Sequence, residues 1–210
     1  MTCNAMQIEK IPSARAMREF YDAVSQEPGY QERMYRIAHQ QWRLGRIKEL
    51  LTPMLPLCQK VLEVGCADGM LTQWLAERVP HVTAIDRAAP CIERCLALGL
   101  PNVEFVNRPL RMIKETEFDL AVISEVLEHL RDPEAELERL GKMAKVILAT
   151  VPVSETPNKD AFSVEAYHNP KKAGDGTGHI WAFRLDTFKA LFTEIRHFES
   201  NGISAIVIGR

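Results

Sequence analysis

Hydrophobic positions along the chain alternate between two periods. Short apolar runs at 61–64, 81–86, 103–107, 118–124 and 146–150 read as strands. Amphipathic stretches at 71–78, 90–98 and after 132 read as the helices between them. The run Phe118-Asp-Leu-Ala-Val-Ile-Ser124 is apolar almost throughout, the pattern of a parallel strand buried on both faces. Gly99 stops the second helix, while Asp132 caps the third, with Pro133 at its first position and Glu134 and Glu136 in its first turn.

Two helices precede this alternation. The first covers 13–25 with Ser13 as N-cap, and Glu27-Pro-Gly29 breaks it. The second covers 31–51, places Met34, Ile37, Leu44, Ile47 and Leu51 on one face, and ends at Pro53 and Pro56. Near the C-terminus a helix over 185–192 leads to β-prone runs at 194–198 and 203–208. They are joined by Asn201-Gly202, a strong hairpin signal. Residues 151–178 have no periodicity and are rich in Pro and Gly; loops of that length in a compact domain are commonly functional or disordered. The expected organisation is a helical segment, 1–56, covering the ligand cleft of an α/β core, 57–210.

The chemistry concentrates where the first strand meets the first helix, in Val61-Leu-Glu-Val-Gly-Cys-Ala-Asp-Gly-Met70. Gly65 and Gly69 permit a tight turn and leave room for a ligand, and the following helix presents backbone amides. A dinucleotide fingerprint needs a second glycine where this chain has Ala67. Glu63, two places before the turn, suits a cationic ligand better than a pyrophosphate. Asp86 ends the second strand, the position from which a carboxylate grips ribose hydroxyls, and Arg87 beside it flanks an adenine or sits on the surface.

Bulk numbers narrow the class. A chain of 210 residues with 46% apolar and 26% charged content suits one globular domain with an ample core. Net charge −2 gives no electrostatic case for broad nucleic-acid or anionic-membrane binding. The five cysteines lack metal-finger spacing, and Cys91 and Cys95 fall on one helix face; reduced thiols in a cytoplasmic protein are expected. No run is long enough to span a membrane.

The segments E-V-G-C-A-D-G, Ile85-Asp86, F-D-L-A-V-I-S-E-V-L-E-H-L and the closing hairpin together resemble class I S-adenosylmethionine-dependent methyltransferases, especially the ubiquinone-pathway O-methyltransferase group. The resemblance implies a Rossmann-like, mostly parallel seven-stranded sheet that ends in an antiparallel hairpin, with helices on both faces and an N-terminal helical lid. It also implies S-adenosylmethionine as cofactor and S-adenosylhomocysteine as product. Carried over by position, Glu63, Gly65, Cys66 and Gly69 would line the methionine part, and Asp86 and Arg87 the ribose and adenine. Asn107 and Leu110 would border the ring, although this group often has an acid where Asn107 stands. Ser124 and Glu125 would face the sulfonium end, and Arg43, from the helices before the core, is expected at the cleft as a further cofactor contact.

Such a displacement needs an aligned acceptor, exclusion of water and, for a hydroxyl acceptor, a base. His129, at the carboxyl edge of the fourth strand, is the first candidate base; a structural role at the helix start is the other reading. His179 follows the long loop. Tyr21, Tyr30, Tyr167, His168 and Trp181 would give the acceptor pocket an aromatic, hydrogen-bonding lining for a small molecule. Glu125, Glu128, His129 and His179 could also converge on a divalent metal, as the resemblance to metal-assisted O-methyltransferases implies, but metal-free members share this run and no metal is expected. The resulting expectation is methyl transfer to oxygen or nitrogen of a small molecule by a cytoplasmic monomer or homodimer. Competing readings are a metal-assisted 2′-O-methyltransferase of RNA termini, an NAD-dependent oxidoreductase and a non-catalytic cofactor-binding protein.

Overall fold

A computed structural model describes residues 6–7, 13–26, 36–153 and 179–210. A short strand β1 (Met6–Gln7) is followed by helix α1 (Ala14–Val24), which opens on Ser13, whose Oγ accepts the Ala16 N–H at 3.1 Å. Helix α2 (Ala38–Leu51) starts later than the periodicity predicts. Ile37 is extended (φ −84°, ψ 130°) and 44% exposed, so it caps the helix instead of joining its apolar face. Ile47 and Leu51 are buried as expected, and Met34 lies outside the described residues.

The core alternates strand and helix: β2 (Lys60–Val64), α3 (Met70–Ala76), β3 (His81–Ile85), α4 (Ala89–Leu96), β4 (Val103–Val106), β5 (Phe118–Ser124), α5 (Pro133–Met143) and β6 (Ala144–Pro152). Past residue 178 come β7 (Trp181–Ala182), α6 (Leu185–Lys189), β8 (Ile195–Ser200) and β9 (Ser204–Gly209). The strands form a seven-stranded sheet of order β4-β3-β2-β5-β6-β9-β8. Pairs among β2 to β6 are parallel, and β9 is antiparallel to both β6 and β8. The chain order reverses between β2 and β5, and open α/β sheets bind ligands outside the strand ends at such a point.

Burial of β5 on both faces explains its unbroken apolar run. Leu120 and Val122 pack into one hydrophobic cluster, with α2, α3 and α4, while Ala121 and Ile123 pack into the other, with α5 and α6. Asp132 caps α5 by accepting the Ala135 N–H at 3.0 Å. Two boundaries differ from expectation. The C-terminal helix ends at Lys189, and the hairpin turn includes Ile203, because the Asn201 side chain accepts the N–H groups of both Ile203 and Ser204. Gly202, at φ +86°, supplies the left-handed residue. A separate two-stranded sheet joins β1 to β7. No helix among the described residues is long and apolar enough to cross a membrane.

Candidate active site

A cavity of about 270 Å³ opens at the carboxyl ends of β2, β3 and β5. Its floor contains Val64, Gly65 and Ala67 from the turn after β2, Asp86 to Ala88 after β3, and Glu125, Val126 and His129 after β5. Arg108 to Arg111 contribute from the segment after β4. Helix α1 roofs it with Ala14, Tyr21, Val24 and Ser25.

The glycine turn is held by its neighbours. Gly65 and Cys66 both donate backbone N–H to the Ile85 carbonyl, at 2.8 and 3.1 Å. Gly65 is in the left-handed region (φ +80°), and a Cβ there would stand 2.3 Å from Val126 Cγ2. Gly69 (φ +79°) faces α4, where a Cβ would meet Leu98 and Cys95. Gly65 is thus required by close packing within the protein as well as by backbone conformation, and Gly69 chiefly by its left-handed backbone. Ala67 (φ 46°) and Glu125 (φ 54°) are left-handed without being glycine, and both line the cavity; such strain is characteristic of functional sites.

Asp86 links the turn to the cavity. One carboxylate oxygen accepts the Ala67 N–H at 2.9 Å and the other the Ala88 N–H at 2.8 Å. Burial raises the pKa of this carboxyl, and the backbone N–H groups of Ala88, Ala67 and Arg87 oppose the rise. Glu63 sits deeper. It is 3% exposed, accepts the Thr72 hydroxyl at 2.6 Å, and is pushed up to about 8 by burial. Near neutral pH it is mostly protonated, and it is not part of the cavity wall. Cys66 and Gly69 are likewise buried away from the wall.

Other candidates divide between wall and support. Arg87 and Leu110 line the cavity, whereas Asn107 is exposed and donates to the Asp86 carbonyl at 3.0 Å. Ser124 shares a 2.9 Å hydrogen bond with Thr150, whose hydroxyl also donates to Glu125 at 3.0 Å. Arg43 reaches from α2 to pair with Glu125 at 2.8 Å, both side chains being largely buried. Tyr30, Tyr167 and His168 lie outside the described residues.

Beside the cavity stands a second group. Tyr21 meets the His129 ring edge-on at 5.6 Å, and His129 meets His179 at 4.9 Å. Glu128 is fully buried, and neither carboxyl oxygen has a hydrogen-bond partner among the described residues. Its Oε1 lies 3.5 Å from His129 Nε2 and 4.0 Å from His179 Nε2. Burial and then the nearby Glu125 hold Glu128 well above the usual carboxylate range. Burial and His129 push His179 down to about 3, so it is a neutral imidazole. One ligand atom from each of Glu128, His129 and His179 falls within 4.8 Å of the others. Glu125 is outside this trio, drawn to Arg43 instead. Trp181 braces the group by donating its indole N–H to the Leu130 carbonyl at 2.7 Å, while Ile180 N–H bonds the Glu128 carbonyl at 2.7 Å.

Sequence reasoning missed Val64, Ala88, Cys91 and Val126 on the wall, and Ser25 in the roof. Position just beyond a strand end was an available signal for Ala88 and Val126; Cys91 and Ser25 carried none beyond their helices.

A family model described as a methyltransferase domain matches residues 30–195. An uncharacterized methyltransferase of Mycobacterium tuberculosis is 38% identical over 102 residues, covering 44% of this chain and 49% of that protein. The ubiquinone biosynthesis O-methyltransferase of Hahella chejuensis is 29% identical over 119 residues, covering 54% and 45%. The chain thus spans about half the length of the curated relatives it matches. Among solved structures, the N-methyltransferase NodS of Bradyrhizobium japonicum in complex with S-adenosyl-L-homocysteine has a TM-score of 0.67 at 18% identity, covering 93% of this chain and 98% of that one. Magnesium protoporphyrin IX methyltransferase of Synechocystis, also with bound S-adenosylhomocysteine, gives 0.66 at 17% identity, with the same coverage of 93% and 98%. At these identities the superpositions establish a shared fold.

Proposed function

The chain belongs to the methyltransferase domain family, and from that membership we propose that it transfers the methyl group of S-adenosylmethionine to oxygen or nitrogen of a small-molecule acceptor. One observation carries the cofactor assignment. Asp86 stands on the cavity wall with its carboxylate held by the Ala67 N–H on one oxygen and the Ala88 N–H on the other, an anchored acid at the strand end from which a ribose diol is gripped. The turn beside it presents Gly65 and Ala67, without the second glycine of a pyrophosphate cradle. This, with the family, sets aside the oxidoreductase alternative.

S-adenosylmethionine supplies a methyl on cationic sulfur, so transfer is one in-line displacement in which the S–C bond breaks, its electron pair staying on sulfur, as the acceptor bond forms. The protein's part is to bind, align and exclude water. Helix α1 acts as the lid. Arg87 donates to the Ala14 carbonyl at 3.1 Å, and Asp22 accepts the Ala89 N–H at 3.1 Å, tying both ends of the lid to the segment after Asp86. Glu125 faces the cationic sulfur, its orientation fixed by Arg43 and Thr150. His129, on the wall, takes the proton from a hydroxyl acceptor. Relatives named for O-methylation and a neighbour named as an N-methyltransferase leave both acceptor atoms in the proposal. Methyl-labelled S-adenosylmethionine incubated with the protein and a cell extract tests it. Label in the small-molecule fraction is expected; label in RNA alone, or none, contradicts it.

Glu128, whose carboxyl oxygens have no hydrogen bond among the described residues, favours a second reading, in which Glu128, His129 and His179 hold a divalent cation. The donor set fits, since Glu128, on giving up the proton that burial favours, and the neutral imidazole of His179 are good donors to a borderline metal. Such an ion would polarise an acceptor oxygen, and vicinal oxygens, including those of an RNA terminus, would suit it. A chelator added to the same assay separates the readings. Turnover lost and restored by a divalent metal supports the ion, and unchanged turnover leaves His129 as the base.

A further inference from the structure

Four carboxylates line the cavity among the described residues, and three of them have a partner that fixes their role. Asp86 is anchored by the N–H groups of Ala67 and Ala88, Glu125 pairs with Arg43, and Asp132 accepts the Ala135 N–H that opens α5. Glu136, in the first turn of α5, differs. Its Oε2 is buried with no hydrogen bond, while the side chain, 20% exposed, still stands on the cavity wall. Arg139 Nε lies 3.7 Å from that oxygen, an ion pair too long for a hydrogen bond. Burial raises the Glu136 pKa, and the guanidiniums of Arg139, Arg111 and Arg87 draw it back toward the anion. A buried carboxylate oxygen normally has a donor, so this one is placed for a ligand to complete.

Its place in the cavity says which part of the ligand that is. Leu110 packs in one apolar cluster with Leu137 and Leu140 of α5, which carries Glu136 beside the segment after β4. With a ribose on Asp86, the attached base falls to this end, among Arg87, Leu110 and Glu136. The amino group of adenine offers two N–H donors and needs an acceptor. Guanidiniums only donate, so the arginines here cannot serve. Asn107 is exposed, is not on the wall, and gives its amide nitrogen to the Asp86 carbonyl. Asp132 is exposed to water and holds the helix start. We propose that Glu136 accepts the amino group of the cofactor's adenine and so makes the site selective for that base. The assignment rests on the methyltransferase reading and names a residue that reads its cofactor. A base with a carbonyl oxygen in place of the amino group would set oxygen against carboxylate, and a polar site built for one edge rejects the other strongly.

The test compares, by calorimetry, S-adenosylhomocysteine with S-inosylhomocysteine, which carries that carbonyl oxygen. Wild type is expected to bind the adenine compound about tenfold or more tightly, the range of a hydrogen bond to a charged group. Glu136→Gln, whose amide can donate to the carbonyl oxygen, is expected to bring the two affinities within about threefold or to reverse their order. Glu136→Ala should narrow the ratio as well, and Asp132→Asn, which keeps a capping side chain, should retain the wild-type ratio. Because the ratio is taken within one protein, a loss of folded material cancels, and a purely structural role for Glu136 leaves it unchanged. A wild-type ratio in both Glu136 variants, as a backbone carbonyl acceptor would give, overturns the proposal. So does equal affinity of the wild type for the two compounds, or a ratio that moves only in Asp132→Asn. Uptake of neither compound by the wild type is a different failure, since it removes the cofactor reading and this assignment with it.

Discussion

At the glycine turn, the polar groups that shape the cavity are already engaged. Gly65 and Cys66 N–H meet Ile85, Ala67 N–H meets Asp86, and Glu63 holds the Thr72 hydroxyl. Across the cavity, Glu128 is buried to the same degree, yet its carboxyl oxygens lack any hydrogen bond among the described residues and face two imidazoles. A buried polar group normally has a partner, and leaving one unsatisfied costs about 1–3 kcal/mol. On the function proposed above, the difference separates a preorganised binding end, assembled before ligand arrives, from an end that spends stability on reactivity. Binding energy and chemistry should therefore be separable by mutation.

The largest expected effect tests that separation at the reactive end. His129→Ala should lower turnover about 10²- to 10⁴-fold on a hydroxyl acceptor while S-adenosylhomocysteine affinity stays nearly constant. An equal loss of affinity would show that the two ends are one unit. Next comes Gly65→Ala, which forces a side chain into Val126 at a left-handed position. It should destabilise the protein by roughly 2–4 kcal/mol in urea unfolding, from overpacking and backbone strain together. A change within 0.5 kcal/mol (about the scatter of neutral surface substitutions) would mean that the turn relaxes easily.

The sequence made the scaffold legible because each signal there is local. The β5 run matches its strand residue for residue, Ser13 and Asp132 cap where they stand, and Asp86 falls at its strand end on the cavity wall. What escaped depends on contacts distant along the chain. Spacing could not reveal that Gly65 yields to Val126, that Arg43 pairs with Glu125, or that rim arginines from separate loops share one mouth. The late start of α2 at Ala38 escaped too, because Ile37 fits a helical face in sequence yet adopts an extended cap. The Glu63 charge, read as an attraction for a cationic ligand, is muted by burial that composition does not report.

The smallest expected effect concerns that buried acid. The folded-state pKa of Glu63, about 8, stands above its ordinary 4.5, so the native protein holds a proton that the unfolded chain releases. Its contribution to stability is complete below about pH 4.5 and is lost as pH rises through about 8. Thermal melts across this window should fall with pH in the wild type and fall less steeply in Glu63→Gln. Parallel slopes would remove Glu63 from the account.

The central claim is that the Asp86-edged cavity receives S-adenosylmethionine. Calorimetric titration of S-adenosylhomocysteine into wild type and Asp86→Ala reads it directly. Saturable one-to-one binding that weakens roughly a hundredfold in the variant, the loss expected for charged hydrogen bonds to a ribose diol, is the predicted result. No uptake by the wild type, or the same affinity in both proteins, would contradict it.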